Sequence, residues 1–170
     1  SNKSGYSWFY PTDGLDEGDI LLQWECPIAA DDTVIELYFK NIYPHAVASA
    51  LTVCDLFRAG NPPRTTQDES QATYERHCTV RHAKIDWFKP AGQVYNLIRG
   101  TNPAPGAWTS RNGETVNIFD AKLVSGDGIS GRIMNVSDDG VTVQSVGGRI
   151  LVKRVKPQGG AKMPAAQWAQ

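Results

Sequence analysis

The 170-residue sequence predicts a mixed α/β front followed by a small OB-like β-barrel. Three observations carry this expectation. Aromatic residues alternate at Tyr6, Trp8 and Tyr10, the period of a strand with one buried face. Apolar residues then recur at helical intervals from Val34 to Phe57. Beyond Gly106 the chain turns to short apolar alternations separated by glycine turns. The expected divisions are 1–84 for the α/β portion, 85–106 for a linker helix and hinge, and 107–170 for the barrel.

The opening strand meets an acidic turn, Asp13-Gly14-Leu15-Asp16-Glu17-Gly18-Asp19, and the apolar Ile20-Leu21-Leu22 leads into a second strand ending near Pro27. Four carboxylates fall within seven residues, and glycines sit where the backbone can approach a ligand closely. Pattern alone leaves two readings of this loop: solvated charges on an ordinary hairpin, or a site carried by a rigid sheet. Thr33 and Glu36 have capping-box spacing, and Pro44 predicts a kink or two abutting helices. Gly60 with Pro62-Pro63 ends that element. His45 reads as a partly buried helix histidine rather than a ligand, because no second ligand lies near it in sequence.

Residues 61–83 read as a polar connector. His77-Cys78 and His82 fit no standard zinc spacing, so no metal is expected. Ile85-Asp86-Trp87 reads as a short strand, and Pro90 as the first position of a helix ending at Gly100. Asn112-Gly113 marks a hairpin between strands 108–110 and 115–119. Strands over 131–136, 141–143 and 149–155, divided by Asp138-Asp139-Gly140 and Gly147-Gly148, complete the barrel expectation.

A hydrophobic share of 41% with 21% charged residues is that of a globular chain. The net charge of −1 argues against bulk attraction to nucleic acid or membrane, yet it hides an asymmetry. Residues 1–60 hold 3 basic and 9 acidic side chains, whereas residues 131–170 hold 6 basic and 2 acidic. Three widely spaced cysteines read as reduced thiols of a cytoplasmic protein. No apolar run has the length of a membrane span. Ser1-Asn2 reads as a tag scar, and the chain enters a strand almost at once, as if cut from something larger.

Two stretches carry a resemblance. Gly14-Leu15-Asp16-Glu17-Gly18-Asp19-Ile20-Leu21-Leu22 resembles the signature of 10-formyltetrahydrofolate-dependent formyltransferases, with Glu17 in place of the commoner threonine. Ile85-Asp86-Trp87, a helix, and then Ile98-Arg99-Gly100 through Pro105-Gly106-Ala107-Trp108-Thr109 resemble the same family's passage into its C-terminal part, and Gly159 to Ala165 its ending. The resemblance implies the last strands and helices of a Rossmann-like formyltransferase domain followed by the OB-like barrel. It also implies that the segment bearing the family's catalytic asparagine and histidine is absent, so that this chain alone is inactive.

On that resemblance Asp16 is the catalytic aspartate, while Asp13, Gly14 and Leu15 contribute to the pocket of the formyl donor, 10-formyltetrahydrofolate. The implied function is formyl transfer, with initiator methionyl-tRNA as acceptor. Arg149, Lys153, Arg154, Lys156 and Lys162 are the candidates to hold the tRNA through its phosphates. Two other readings stand beside it. One is a 10-formyltetrahydrofolate hydrolase or dehydrogenase-type domain with water as acceptor; the other is a non-catalytic tRNA-binding OB module. A pure binding module has no reason to carry the Asp16 loop.

Overall fold

In the computed structural model, which describes residues 2–169, Lys3–Phe9 (β1) and Ile20–Pro27 (β2) pair antiparallel. Ser1 of the expected tag scar lies outside the described residues. Tyr6 faces Trp24 and Trp8 faces Leu22, with a register shift between Trp8 and Phe9 that releases the chain into the acidic loop. Thr33 and Glu36 close the predicted capping box of Val34–Leu37 (α1). A π turn over Tyr38–Ile42 follows, in which the Tyr43 N–H reaches the Tyr38 carbonyl, and it leads into Tyr43–Arg58 (α2). Pro44 lacks a donor for the regular ladder, and the widened turn ahead of it absorbs the break. Gly60, at φ 84, takes the left-handed position after the α2 C-cap and donates to the Phe57 carbonyl at 3.1 Å.

The chain divides into two compact units, the first ending at Arg76 and the second beginning at His77. In the first, Leu21, Cys26 and Leu37 are the buried apolar side chains among the described residues. The Trp8 indole donates to the buried Ser49 hydroxyl at 2.8 Å, tying β1 to α2. His45 is exposed, not partly buried: its ring lies 4.1 Å from that of Trp24, nearly parallel, and its Nδ1 meets the Tyr6 hydroxyl at 2.7 Å. Phe39, Tyr43, Val47 and Leu51, each four residues apart, all stay exposed and form a long apolar stripe.

The second unit is built on a six-stranded antiparallel sheet. Ala107–Arg111 (β3) turns through Asn112 (φ 53) and Gly113 (φ 85) into Glu114–Val124 (β4), as the Asn-Gly signal predicts. Ile133–Ser137 (β5), Gly140–Ser145 (β6), Gly148–Pro157 (β7) and the two-residue Met163–Pro164 (β8) follow. The strand order is β3-β4-β7-β6-β5, with β8 on β7. The expected barrel is therefore not closed: β3 and β5, at the two ends, do not pair. Closure needs the terminal edges to meet in register, and each ladder here is between near neighbours in the chain except β4 with β7.

Ala91–Gly100 (α3) packs Val94, Tyr95 and Ile98 into the core of this unit, so the 85–106 segment expected as linker and hinge contributes to that core. Pro90 is the N-cap of α3 rather than its first residue. Ile85-Asp86-Trp87 is not a strand. A single parallel bridge joins Lys84 to Trp108, and the Asp86 carboxylate then accepts from the Phe88 N–H at 2.9 Å to turn the chain. Gln144 is fully buried, yet every polar atom is used. Its amide donates to the Gly126, Ser145 and Gly148 carbonyls, and its Oε1 accepts from Arg149. Ala165–Ala169 (α4) lays Trp168 against the core. No described helix is long and apolar enough to cross a membrane.

Candidate functional site

The loop between β1 and β2 is held from both ends and from the side. The Tyr10 N–H donates to the Asp19 carbonyl at 3.0 Å, closing the hairpin neck. Ile20 and Thr65 exchange backbone hydrogen bonds at 2.8 and 2.9 Å, which brings residues 64–67 alongside. From there the Gln67 amide nitrogen donates to the Asp16 carbonyl and to the Gly18 carbonyl, both at 2.7 Å. Gly18 is buried against the Tyr10 carbonyl oxygen, where any Cβ would collide with backbone. Asp16 takes φ 54, a left-handed conformation that few non-glycine residues adopt, and the Gln67 bond to its carbonyl holds it there.

The four carboxylates of the loop divide by partner. Asp19 meets Arg64 at 3.4 Å, and Arg64 also lies 3.6 Å from the centre of the Tyr10 ring. Glu17 accepts from the Thr12 hydroxyl at 3.1 Å. Asp13 and Asp16 have no partner among the described residues, and both are exposed. Leu15, between them, is 74% exposed. A pinned backbone thus presents an unengaged carboxylate beside an apolar side chain, a combination suited to a flat ligand with a proton to exchange. Gln67 and Arg64 were not legible as site residues, since nothing in the sequence signals a brace across some fifty positions.

The basic candidates lie in the second unit. Arg149 is half-buried and committed to structure: Nε donates to Gln144 at 2.9 Å and Nη2 to the Asp127 carbonyl at 2.7 Å. Arg154 sits opposite Asp120, and Lys156 opposite Asn117, where β7 pairs with β4. Lys153 is half-buried on the same strand. Lys162 places its ammonium 3.7 Å from the centre of the Phe119 ring. His82 accepts from the Thr79 N–H at 3.0 Å, and the described residues hold no group of three His, Cys, Asp or Glu arranged for a metal.

Comparison with known proteins places these features in company. Residues 78–170 match the formyl transferase C-terminal domain. The chain is 39% identical over 165 residues to a methionyl-tRNA formyltransferase of Moorella thermoacetica, covering 96% of this chain and 52% of that protein. It is 32% identical over 176 residues to the mitochondrial 10-formyltetrahydrofolate dehydrogenase of Mus musculus, covering 98% of this chain and 19% of that protein. In fold it is similar to HypX from Aquifex aeolicus, solved in complex with tetrahydrofolic acid: the TM-score is 0.80 at 18% identity, over 98% of this chain and 30% of that one. The chain thus spans about half the length of the first relative and about a fifth of the second.

Proposed function

The chain belongs to the formyl transferase family, and on that premise we propose that it is the C-terminal portion of an enzyme that moves a formyl group from 10-formyltetrahydrofolate to methionyl-tRNA. The observation that carries this reading is the Asp16 loop: an unengaged carboxylate on a backbone fixed by two 2.7 Å bonds from Gln67. In formyl transfer the attacking amine loses a proton, the formyl oxygen gains negative charge and the leaving nitrogen takes a proton up. Bound 10-formyltetrahydrofolate supplies the formyl carbon. Asp16 holds and relays the proton, directly or through the histidine that the rest of the enzyme provides. Leu15 offers its exposed side chain to a ring face, and Asp13 and Gly14 line the same edge of the loop. Lys153, Arg154, Lys156 and Lys162 take tRNA phosphates, while Arg149 braces the sheet behind them.

The exposed stripe of Phe39, Tyr43, Val47 and Leu51 supports the reading of a portion, because a helix face so apolar calls for a cover. The test is deformylation of 10-formyltetrahydrofolate followed by absorbance, with this chain in water and then with methionyl-tRNA. No turnover by the chain alone, together with salt-dependent tRNA binding, is expected. Turnover in water without tRNA would contradict the acceptor and favour the dehydrogenase-type reading, to which the 32% identity over 98% of the chain lends weight.

A further inference from the structure

One row across the second unit's sheet is unlike the others. Trp108 on β3 lies opposite Asn117 on β4, and Asn117 opposite Lys156 on β7, so an indole, an amide and an ammonium stand side by side on one face. The adjacent row, Ala107, Ile118 and Val155, points the other way into the core and is fully buried. Beside Trp108 and Asn117, the side chains of Val80, Pro105 and Thr115 complete an open depression of about 310 Å³.

Its chemistry is specific. Val80, Pro105 and Trp108 give it apolar and aromatic walls, Thr115 and Asn117 give it polar uncharged ones, and none of the lining residues is acidic. The indole is held in place by its N–H bond to the Val80 carbonyl at 2.7 Å. Asn117 donates to the Gly106 carbonyl at 3.1 Å, which leaves its Oδ1 and the Thr115 hydroxyl without partners among the described residues. Lys84 holds its ammonium 5.4 Å from the Trp108 ring centre, and neither Lys84 nor Lys156 is in an ion pair among the described residues. An aromatic platform, a free amide oxygen and two unneutralised cations suit a planar ring that carries N–H donors and a nearby negative charge.

We infer that this depression is a nucleotide site: it takes one unpaired base against Val80, Pro105 and Trp108, with Asn117 and Thr115 reading its edge and Lys84 and Lys156 meeting its phosphates. The inference deepens the proposed binding of RNA and rests on it only for the identity of the polymer. Stacking of a base on an aromatic side chain is sequence-tolerant, so the site grips a single-stranded end or loop rather than a duplex.

The test uses the 170-residue chain, a fluorescently labelled single-stranded RNA hexamer read by anisotropy, and AMP as competitor. Thr115→Leu fills the depression from the outer face without changing charge, and Lys156→Gln removes charge without filling it. Thr115→Leu should weaken both hexamer and AMP about tenfold or more while leaving the salt slope unchanged. Lys156→Gln should weaken the hexamer about threefold and lower the salt slope by about one. Failure of AMP to compete, or hexamer affinity unchanged in Thr115→Leu with an unaltered melting temperature, would overturn the site. If whole methionyl-tRNA still binds in that case, the proposed function survives and only this inference falls. Hexamer and AMP binding that Thr115→Leu abolishes, with no binding of methionyl-tRNA, would establish the site and refute the tRNA acceptor.

Discussion

Among the described residues, the first unit buries three apolar side chains, while the second holds a continuous cluster of fourteen buried residues running from Ile85 to Ala165. Both carry similar kinds of residue; what differs is where they point. In the second unit alternate positions of β4, β6 and β7 turn inward together, and α3 adds Val94, Tyr95 and Ile98 from its one apolar face. In the first, a two-stranded sheet and a helix cannot enclose a volume, so Leu51 remains 73% exposed and the π turn leaves Tyr38 and Phe39 outside. The second unit thus closes a core of its own, whereas the first leaves a helix face uncovered.

That contrast can be broken most forcefully at Ile150, which is fully buried near the start of β7. Ile150→Ala should cost about 2–5 kcal/mol, seen as a large fall in melting temperature, and a loss under about 1 kcal/mol would deny the second unit its rigid core. Gln67→Ala removes both bonds to the Asp16 loop and should cost about 1 kcal/mol per bond at most. Its clearer signature is faster exchange of the backbone amides of the loop with β1–β2 protection unchanged. Leu51→Gln, on the uncovered face of α2, should alter stability by less than about 0.5 kcal/mol in chemical denaturation.

The smallest effect is a pH dependence at the start of α1. The Lys40 ammonium and the Thr33 hydroxyl and N–H hold the Glu36 carboxyl below its ordinary value of 4.5. A lowered carboxyl stabilises the fold at neutral pH, and that contribution is lost as pH falls from 4.5 through the lowered value. Being exposed, the pair contributes little. Helical signal from 34–37 should fade modestly on acidification in the parent chain and show no such step in Glu36→Gln.

Local chemistry in the sequence foretold much of this. The Thr33–Glu36 capping box, the break at Pro44, the Gly60 stop and the Asn112-Gly113 turn each depend on residues a few positions apart, and each forms as its side chains require. What could not be read is what the chain brings together from afar. Strand propensity favoured Ile85-Asp86-Trp87, but the neighbouring backbone offers only one bridge, at Lys84. Whether β3 and β5 close a barrel depends on edges more than twenty residues apart. At the site, the acidic glycine-flanked loop stood out by composition, yet the brace from Gln67 and the left-handed backbone of Asp16 are tertiary facts. Arg149 read as a free cation by its type, and only the fold reveals Gln144 and the Asp127 carbonyl as its partners.

The most direct test joins this chain to the half of a methionyl-tRNA formyltransferase relative that it does not match, and measures formyl transfer from 10-formyltetrahydrofolate to methionyl-tRNA. A proton-relaying Asp16 requires that the fusion transfer the formyl group and that Asp16→Asn lower the rate at least about a hundredfold with an unchanged melting temperature. A folded fusion that transfers nothing, or an Asp16→Asn fusion as fast as its parent, would contradict it.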